Sequence, residues 1–288
     1  MALRVRPLTD TIGAQIDGID LRRPLPREDV AQILDAWWSY RVLLLRDQSI
    51  DDPAHAAFAA HFGTPAIFAS GASAAESSCI YGASNTADDS ALLPLGHERV
   101  KLLKMNWFWH VDGCYRAKPN RGVVLRALVV PPIGGDTVFA DLRLAYVTLP
   151  PTLRSTIEGL ICRHSFAHMI ECCGMPPVTP LEAARLPEAS HPLVWRHSDG
   201  RRSLFLSPPY MAHIDGLSYN NSRALVEELT EWASADRFVY LHRWLPGDVL
   251  IWDNRWTMHK VTPYDLACHR RVMRGATLVG TETVSSHA

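Results

Sequence analysis

The sequence GVVLRALVVPPIGGDTVFA, residues 122–140, distinguishes between the two fold classes open to a chain of this length. Residues 122–130 and 137–140 are both apolar and β-branched, and the Pro-Pro and Gly-Gly pairs between them are turn formers. One strand therefore follows another without a helix between them, whereas a parallel α/β sheet needs regular strand–helix alternation. We predict a mainly β protein with peripheral helices, either a sandwich or a jelly roll.

The rest of the chain carries the same pattern of short strands, with helices between some of them. Further strands are predicted at Val42–Leu45, Leu193–Arg196, Leu204–Leu206, Val249–Trp252 and Val272–Val279. Helices are predicted at Arg27–Tyr40, at Asp51–Phe62, after Pro150-Pro151, and after Asn221-Ser222, which we expect to cap the last of them. No repeat or linker is visible, so we expect a single domain over residues 1–288.

Composition excludes several classes of function. The chain has 29 Lys and Arg against 30 Asp and Glu, which argues against a broad nucleic-acid surface. Its beginning does not resemble a signal peptide, and no apolar run has the length of a membrane span. Six scattered cysteines without a CxxC pair are typical of a reducing compartment. We expect a cytoplasmic protein that acts on a small molecule, without a nucleic-acid or membrane partner.

Three segments carry residues suited to catalysis, and the first two of them suit a metal ion. His110 and Asp112 are two residues apart, so on a strand both side chains would share one face. The aromatic run Trp107–Trp109 favours a sheltered site over the alternative of a solvated strand. His259 follows an apolar strand and a polar turn, and it is a candidate third ligand. Two histidines and one carboxylate leave positions open for a co-substrate and dioxygen, which suits Fe(II), whereas zinc more commonly takes three protein ligands and one water.

The third segment is basic. Arg270, Arg271 and Arg274 lead into an alternating strand that ends at Gly280. A guanidinium held on a strand can bind a carboxylate through two hydrogen bonds. The alternative is a solvated cationic edge that prevents pairing with other strands.

Taken together, H-x-D, G-G-D-T, W-D-N-R-x-x-x-H and R-R-x-M, in this order and at these separations, resemble the taurine dioxygenase / 2,4-D dioxygenase (TauD/TfdA) family. The resemblance covers nearly the whole chain. It implies a double-stranded β-helix, or jelly roll, of the clavaminate-synthase-like type. It also implies an Fe(II)- and 2-oxoglutarate-dependent dioxygenase that hydroxylates a small organic substrate with O2 and releases succinate and CO2.

The resemblance assigns roles to individual residues. His110, Asp112 and His259 would bind the iron, and Thr137 would hydrogen-bond a carboxylate of 2-oxoglutarate. The arginine that anchors the other carboxylate is Arg271 or Arg270. Alignment of the residues after these arginines favours Arg271, in which case Met273 and Gly275 share its face of the strand.

For the primary substrate, the resemblance implies departures from taurine dioxygenase. Gly275 stands where that enzyme has a second arginine, and Phe68 stands where it has a histidine, so taurine itself is disfavoured. Phe166 and Tyr210 match aromatic pocket positions, with core packing as the alternative.

Further pocket contacts are expected around the metal. Trp252 is expected beside the metal. Arg274 is a candidate contact for a substrate carboxylate, from a position shifted relative to that of the second arginine of taurine dioxygenase. The small-residue-rich segment 66–104 is predicted to form a lid over the substrate.

Several alternatives stay open. The same scaffold can catalyse desaturation, cyclisation or epimerisation, and motifs do not separate these outcomes from hydroxylation. Asp112 itself favours hydroxylation over halogenation, because related halogenases carry a small residue at this position. A non-catalytic jelly-roll binding module and a zinc hydrolase are more distant alternatives. Relatives commonly form symmetric assemblies, so a homo-oligomer is expected.

Overall fold

The computed structural model describes residues 2–69, 77–88, 90–176 and 178–286. The strands in this part of the chain are β1 (Arg4–Pro7), β2 (Ala14–Asp17), β3 (Val42–Leu45), β4 (Phe68–Ala69), β5 (Ser77–Ser78), β6 (Tyr81–Gly82), β7 (Gly122–Val129), β8 (Thr137–Asp141), β9 (Ile161–Ser165), β10 (Glu188–Pro192), β11 (Val194–Arg196), β12 (Arg202–Leu204), β13 (Met211–Ile214), β14 (Val239–His242), β15 (Val249–Asp253), β16 (Thr257–Val261) and β17 (Val272–Leu278). The helices are α1 (Arg27–Tyr40), α2 (Asp52–Ala60), α3 (Glu98–Met105), α4 (Leu142–Val147), α5 (Pro151–Ile157), α6 (Phe166–Cys172), α7 (Pro180–Ala183) and α8 (Tyr219–Ala233), with a 3-10 turn at Asp236–Phe238.

Two sheets face each other and form the frame of the molecule. The larger sheet has seven strands in the order β1-β2-β3-β15-β7-β17-β6, and the smaller has three in the order β14-β8-β16. Their pairings are antiparallel except for that of β2 with β3. Strands β7 and β8 are joined without a helix and lie in different sheets. The predicted fold class, a mainly β jelly roll with peripheral helices, is therefore confirmed.

The space between the two sheets is filled by apolar side chains that alternate along the strands. Leu125, Trp252 and Met273 from the large sheet pack with Phe139 and Tyr240 from the small one. The residues between them on the same strands point to the opposite face, because side chains alternate along a strand. This inter-sheet layer ends at the cavity described below.

Helices α1 and α2 cover the other face of the large sheet. Ile33 and Trp37 of α1 and Phe58 of α2 pack on Val124 and Ile251. The Asp51 carboxylate accepts a hydrogen bond from the backbone N–H of Ala54 and so caps α2. Burial of an apolar side chain of this size contributes about 1.5–3 kcal/mol. These helices anchor the strands that position the cavity.

Most predicted elements are present, with differences at their ends. Helix α1 has the predicted bounds, and the predicted strand at Leu204–Leu206 ends at Leu204 instead. Helix α8 is capped by Ser218, whose hydroxyl accepts from the backbone of Asn221, so the predicted cap at Asn221-Ser222 is wrong. The short helices α3, α4, α6 and α7 were not predicted, because each is too short to show a clear apolar period.

The predicted lid, residues 66–104, contains strands β4, β5 and β6 and helix α3. Residues 70–76 and Asp89 of this segment lie outside the described residues. Among the residues that the structure covers, no helix is both long and apolar enough to cross a membrane.

Three buried histidines make the stability of the fold dependent on pH. Burial lowers the pKa of His55 to about 4 and those of His164 and His197 to about 3, whereas an unfolded histidine titrates near pH 6.5. Between these values the unfolded chain binds more protons, so the free energy of unfolding falls as the pH drops below about 6.5. From pH 7.5 to 5.5, we expect urea titration of the metal-free protein to show a loss of about 1 kcal/mol per histidine.

A matched pair of variants tests this expectation. His164→Gln removes one buried titrating group, so its unfolding free energy should depend less on pH than that of the wild type. His61→Gln, at an exposed position, should leave the pH dependence unchanged. An equal pH dependence in the His164→Gln protein and the wild type would contradict the explanation.

Candidate active site

Two histidines are brought side by side by a single backbone bridge. The N–H of His110 donates to the carbonyl of His259 at 2.9 Å, and the N–H of His259 donates to the carbonyl of His110 at 2.9 Å. Side chains of such an antiparallel pair project from the same face. The two imidazole rings are accordingly 4.2 Å apart between centroids.

Asp112 completes a group of three. Its Oδ1 is 3.8 Å from His110 Nε2, and its Oδ2 is 3.7 Å from His259 Nε2. One donor atom from each residue lies within 4.8 Å of the others, a spacing that a single ion can bridge. The indole N–H of Trp252 donates to Asp112 Oδ2 at 3.3 Å and to Asn254 Oδ1 at 3.0 Å, which orients the carboxylate.

The local backbone differs from the prediction. His110 lies in an isolated bridge and Asp112 in a turn, so the expected strand through both residues is wrong. The convergence of the two side chains comes from the bridge to β16 and from the turn that follows it. His259 itself lies inside β16, the strand that follows the polar turn.

Both imidazoles can donate a nitrogen lone pair to a metal ion. His110 Nδ1 is 2.8 Å from the carbonyl of Phe108, which can only accept, so Nδ1 carries the proton and Nε2 is a free donor atom. Burial lowers the pKa of His259 to about 3, and the neighbouring His110 acts in the same direction. His259 is therefore neutral near pH 7, the state that metal binding requires.

Arg271 lies beside this group and has unused hydrogen-bonding capacity. Its side chain is 4% exposed, and its Nε donates to the carbonyl of Gly135 at 2.9 Å. Its Nη2 is buried and has no hydrogen-bond partner within the described part of the chain. A buried guanidinium donor without a partner is unfavourable unless a ligand fills that position.

The loop around Arg271 is closely packed. Gly135 has φ +70°, and a Cβ there would lie 2.6 Å from Pro131 and 3.2 Å from Cδ of Arg271. The Asn85 side chain accepts from the backbone N–H of Arg271 at 2.8 Å. Arg270, by contrast, is exposed, and its guanidinium contacts the carbonyl of Ser90. Of the two arginines between which the sequence left a choice, only Arg271 reaches the cavity.

Thr137, the first residue of β8, lies at the same end of the cavity and is 2% exposed. Its hydroxyl oxygen accepts a hydrogen bond of 2.9 Å from the indole of Trp244. Because the oxygen is the acceptor in this contact, the O–H is available to donate to a ligand.

These residues enclose a cavity of about 200 Å³. Its lining consists of Tyr81, Ala83, Asn106, His110, Asp112, Leu125, Thr137, Trp252, His259, Val261 and Arg271. No motif in the sequence assigns a role to five of these residues, namely Tyr81, Ala83, Asn106, Leu125 and Val261. Asn106 directly precedes the aromatic run Trp107–Trp109, which favours a sheltered site at His110. This position is the only sequence signal for any of the five residues.

The predicted aromatic pocket residues lie outside this lining. Phe166 and Tyr210 pack on Tyr115 at centroid distances of 5.1 and 5.4 Å. Burial raises the pKa of both Tyr115 and Tyr210, and the negative charge of Asp112 acts in the same direction, which places this cluster within electrostatic range of the site. Phe68 is 36% exposed and packs on Tyr81 in a T-shaped arrangement, with ring centroids 5.3 Å apart.

Arg274 points away from the cavity. Strand β17 pairs Arg274 with Arg126 and with Gly82. Arg126 hydrogen-bonds Ile50 and Asp52 on the helix-covered face, and Arg274 shares that face because opposite residues project together. A substrate contact of Arg274 would require the other face, where Met273 and Gly275 lie.

Comparison with known proteins assigns the chain to a family. The family described as "Taurine catabolism dioxygenase TauD, TfdA family" matches residues 4–277. The chain belongs to this family. The four TauD/TfdA motifs in the sequence all lie within the matched residues, which span nearly all of the chain.

Two TauD/TfdA relatives illustrate the similarity. One, an alpha-ketoglutarate-dependent 2,4-dichlorophenoxyacetate dioxygenase of Cupriavidus pinatubonensis, is 33% identical over 96% of this chain and 98% of its own length. The other, a (S)-phenoxypropionate/alpha-ketoglutarate-dioxygenase of Sphingobium herbicidovorans, is 33% identical over 99% of both chains. A crystal structure of AAD-2 in complex with Mn(II) and N-oxalylglycine matches with a TM-score of 0.90 at 34% identity, over 99% of each chain.

Proposed function

We propose that this chain is an Fe(II)- and 2-oxoglutarate-dependent dioxygenase that hydroxylates a small organic molecule. One observation carries the proposal: a group of two histidines and one aspartate shares a small cavity with a buried arginine that has an unused donor. The first feature suits a ferrous ion and the second suits the carboxylate of a co-substrate.

The metal ligands are His110, Asp112 and His259. Two neutral imidazoles and one carboxylate leave coordination positions open, which suits an ion that must accept both a co-substrate and dioxygen. When bound, the ion and 2-oxoglutarate supply the oxidative chemistry, in which O2 is consumed, 2-oxoglutarate becomes succinate and CO2, and a C–H bond is hydroxylated. The protein keeps the ligands oriented, His110 through Phe108 and Asp112 through Trp252.

Arg271 and Thr137 bind 2-oxoglutarate. The buried guanidinium of Arg271 offers Nη2 to the distal carboxylate, and the Thr137 hydroxyl adds a donor without adding charge. Because Arg271 is held by Gly135 and Asn85 before any ligand arrives, little side-chain entropy is lost on binding.

Addition of Fe(II) and 2-oxoglutarate under exclusion of oxygen tests the proposal. A dioxygenase should develop a visible charge-transfer band, whereas a zinc hydrolase or a non-catalytic binding module should not. Succinate release with a panel of substrates, followed by mass analysis of the products, then separates hydroxylation from desaturation, cyclisation and epimerisation. Absence of both the band and succinate from metal-loaded protein would refute the proposal.

Trp244→Phe is expected to weaken 2-oxoglutarate binding about 5- to 10-fold, because it removes the N–H that orients the Thr137 hydroxyl and a hydrogen bond contributes about 1 kcal/mol. The KM for 2-oxoglutarate, measured by succinate release, checks the effect. Trp232→Phe is the matched control, since it removes a similar hydrogen bond to the carbonyl of Ala145 away from the site. Equal effects of the two variants would show that Trp244 has only a structural role.

Two further expectations accompany the proposed function. We infer a cytoplasmic location from the six scattered cysteines, which form no CxxC pair. We also expect the chain to form a homo-oligomer, as its family resemblance implies, and light scattering in solution tests this.

A further inference from the structure

Gly275 lies opposite two residues that line the cavity, Leu125 and Tyr81, and the space beside it is filled by Tyr81. The two residues are directly opposite each other on β17 and β6. A Cβ at position 275 would lie 2.5 Å from Cζ, 2.7 Å from Oη and 2.9 Å from Cε1 of Tyr81. No side chain fits at position 275 while the tyrosine ring is in place. The phenol therefore occupies the position where a longer residue on β17 would enter the cavity.

The cavity offers few charges to a second ligand. Arg271 is the one permanently cationic side chain among the lining residues that the structure describes. Under the proposed function its free donor is taken by 2-oxoglutarate. An anionic primary substrate would have to be desolvated here without a counter-charge, which is unfavourable.

Tyr81 provides a neutral polar group instead. A tyrosine hydroxyl titrates near pH 10, and burial raises the pKa of Tyr81 further, so the phenol is protonated at neutral pH and can donate a hydrogen bond. Ala83, Leu125 and Val261 provide the apolar part of the lining, and Phe68 packs on the Tyr81 ring. The side chain of Thr277 hydrogen-bonds the Tyr81 hydroxyl, whose own O–H is available to a ligand. This combination favours an uncharged, largely apolar molecule with one hydrogen-bond acceptor.

We propose that Tyr81 is a specificity-determining residue, whose hydroxyl binds an uncharged acceptor group of the primary substrate in the space beside Gly275. The enzyme accordingly selects neutral molecules over those that carry a carboxylate or a sulfonate. The inference rests on the proposed function, because it takes Arg271 to be occupied by 2-oxoglutarate.

Two probes of equal size and different charge test the inference: 2,4-dichlorophenoxyacetate and its amide, 2,4-dichlorophenoxyacetamide. Binding of each is measured by calorimetry on protein loaded with Mn(II) and N-oxalylglycine, which does not turn over. We expect the wild type to bind the amide at least about 10-fold more tightly than the acid. Tyr81→Phe should weaken amide binding about 5- to 10-fold, as expected for the loss of one hydrogen bond, and leave N-oxalylglycine affinity unchanged.

Two further variants sharpen the test. Tyr219→Phe, at a tyrosine on α8 that is 58% exposed, is the matched control and should change neither affinity. The double variant Tyr81→Gly/Gly275→Arg frees the space and adds a cation, so it should prefer the acid over the amide. Thermal unfolding checks that each variant is folded. If the double variant does not fold, the comparison of the wild type with Tyr81→Phe is sufficient to test the inference.

Three results would overturn the role of Tyr81: tighter binding of the acid by the wild type, no measurable binding of the amide, or amide binding that is insensitive to Tyr81→Phe. If N-oxalylglycine still binds in those experiments, only the inference about Tyr81 fails. If the wild type does not bind N-oxalylglycine in the presence of Mn(II), the proposed function itself fails.

Discussion

Asp112→Ala is expected to lower Fe(II) affinity by at least about 100-fold and to abolish succinate formation at stoichiometric iron. Removal of groups that only support metal ligands already costs about 10- to 100-fold in metal affinity, so loss of a ligand should cost at least as much. The two imidazoles that remain are neutral, so no protein ligand offsets the positive charge of the ion. Competition with a metal-sensitive dye measures the affinity, and enzymatic assay of succinate measures turnover.

The fold should survive this substitution. Trp252 loses one acceptor but keeps its hydrogen bond to Asn254, so its indole N–H stays paired. Asp215→Ala, at an exposed turn, is the matched control and should bind iron like the wild type. Normal turnover by a folded Asp112→Ala protein would show that the metal site has been wrongly assigned.

Arg271→Ala is expected to have the second largest effect, on the binding of 2-oxoglutarate. Loss of one partner from a buried, hydrogen-bonded charge pair costs about 2–5 kcal/mol, which corresponds to about 30-fold or more in affinity. Binding of N-oxalylglycine to the Mn(II)-loaded protein measures the effect without turnover. Arg271→Lys should give an intermediate affinity, because it keeps the charge but loses the paired donors of the guanidinium.

Arg270→Ala is the control that the chain itself offers. The two arginines are adjacent, but Arg270 is exposed and contacts Ser90, so its removal should change N-oxalylglycine affinity by less than about 3-fold, the range of surface charge effects. A larger effect of Arg270→Ala than of Arg271→Ala would mean that β17 is shifted by one residue from the register described here.

The proximity of His110 and Asp112, two of the three candidate metal ligands, could be predicted because their signal is local. His110 and Asp112 are separated by one residue, so their side chains cannot lie far apart whatever the backbone does. The sequence nevertheless suggested a strand through both, whereas His110 lies in a bridge and Asp112 in a turn. The residue types alone therefore predicted the chemistry of the site, although the local geometry was different.

The surroundings of the primary substrate could not be predicted in the same way. Tyr81 lies in the segment expected to form a lid, and nothing near it in the sequence links it to Gly275. Arg274 lies between Met273 and Gly275, which share the cavity face of β17, yet it projects toward α2 with Arg126. Both placements depend on pairings between distant parts of the chain.

From its residues alone, this chain specifies a mainly β fold with peripheral helices and a set of donors that suits a ferrous ion. Strand follows strand in residues 122–140, and the donor residues stand in short motifs, so the fold class and the residue types are local features. The contact between His110 and His259, by contrast, needs the bridge between distant segments. The choice of Arg271 over Arg270, the face of Arg274 and the position of Tyr81 depend instead on the register of β17. An irregularity between Val272 and Met273 shifts that register, and a shift of one residue moves every following side chain to the opposite face of the sheet.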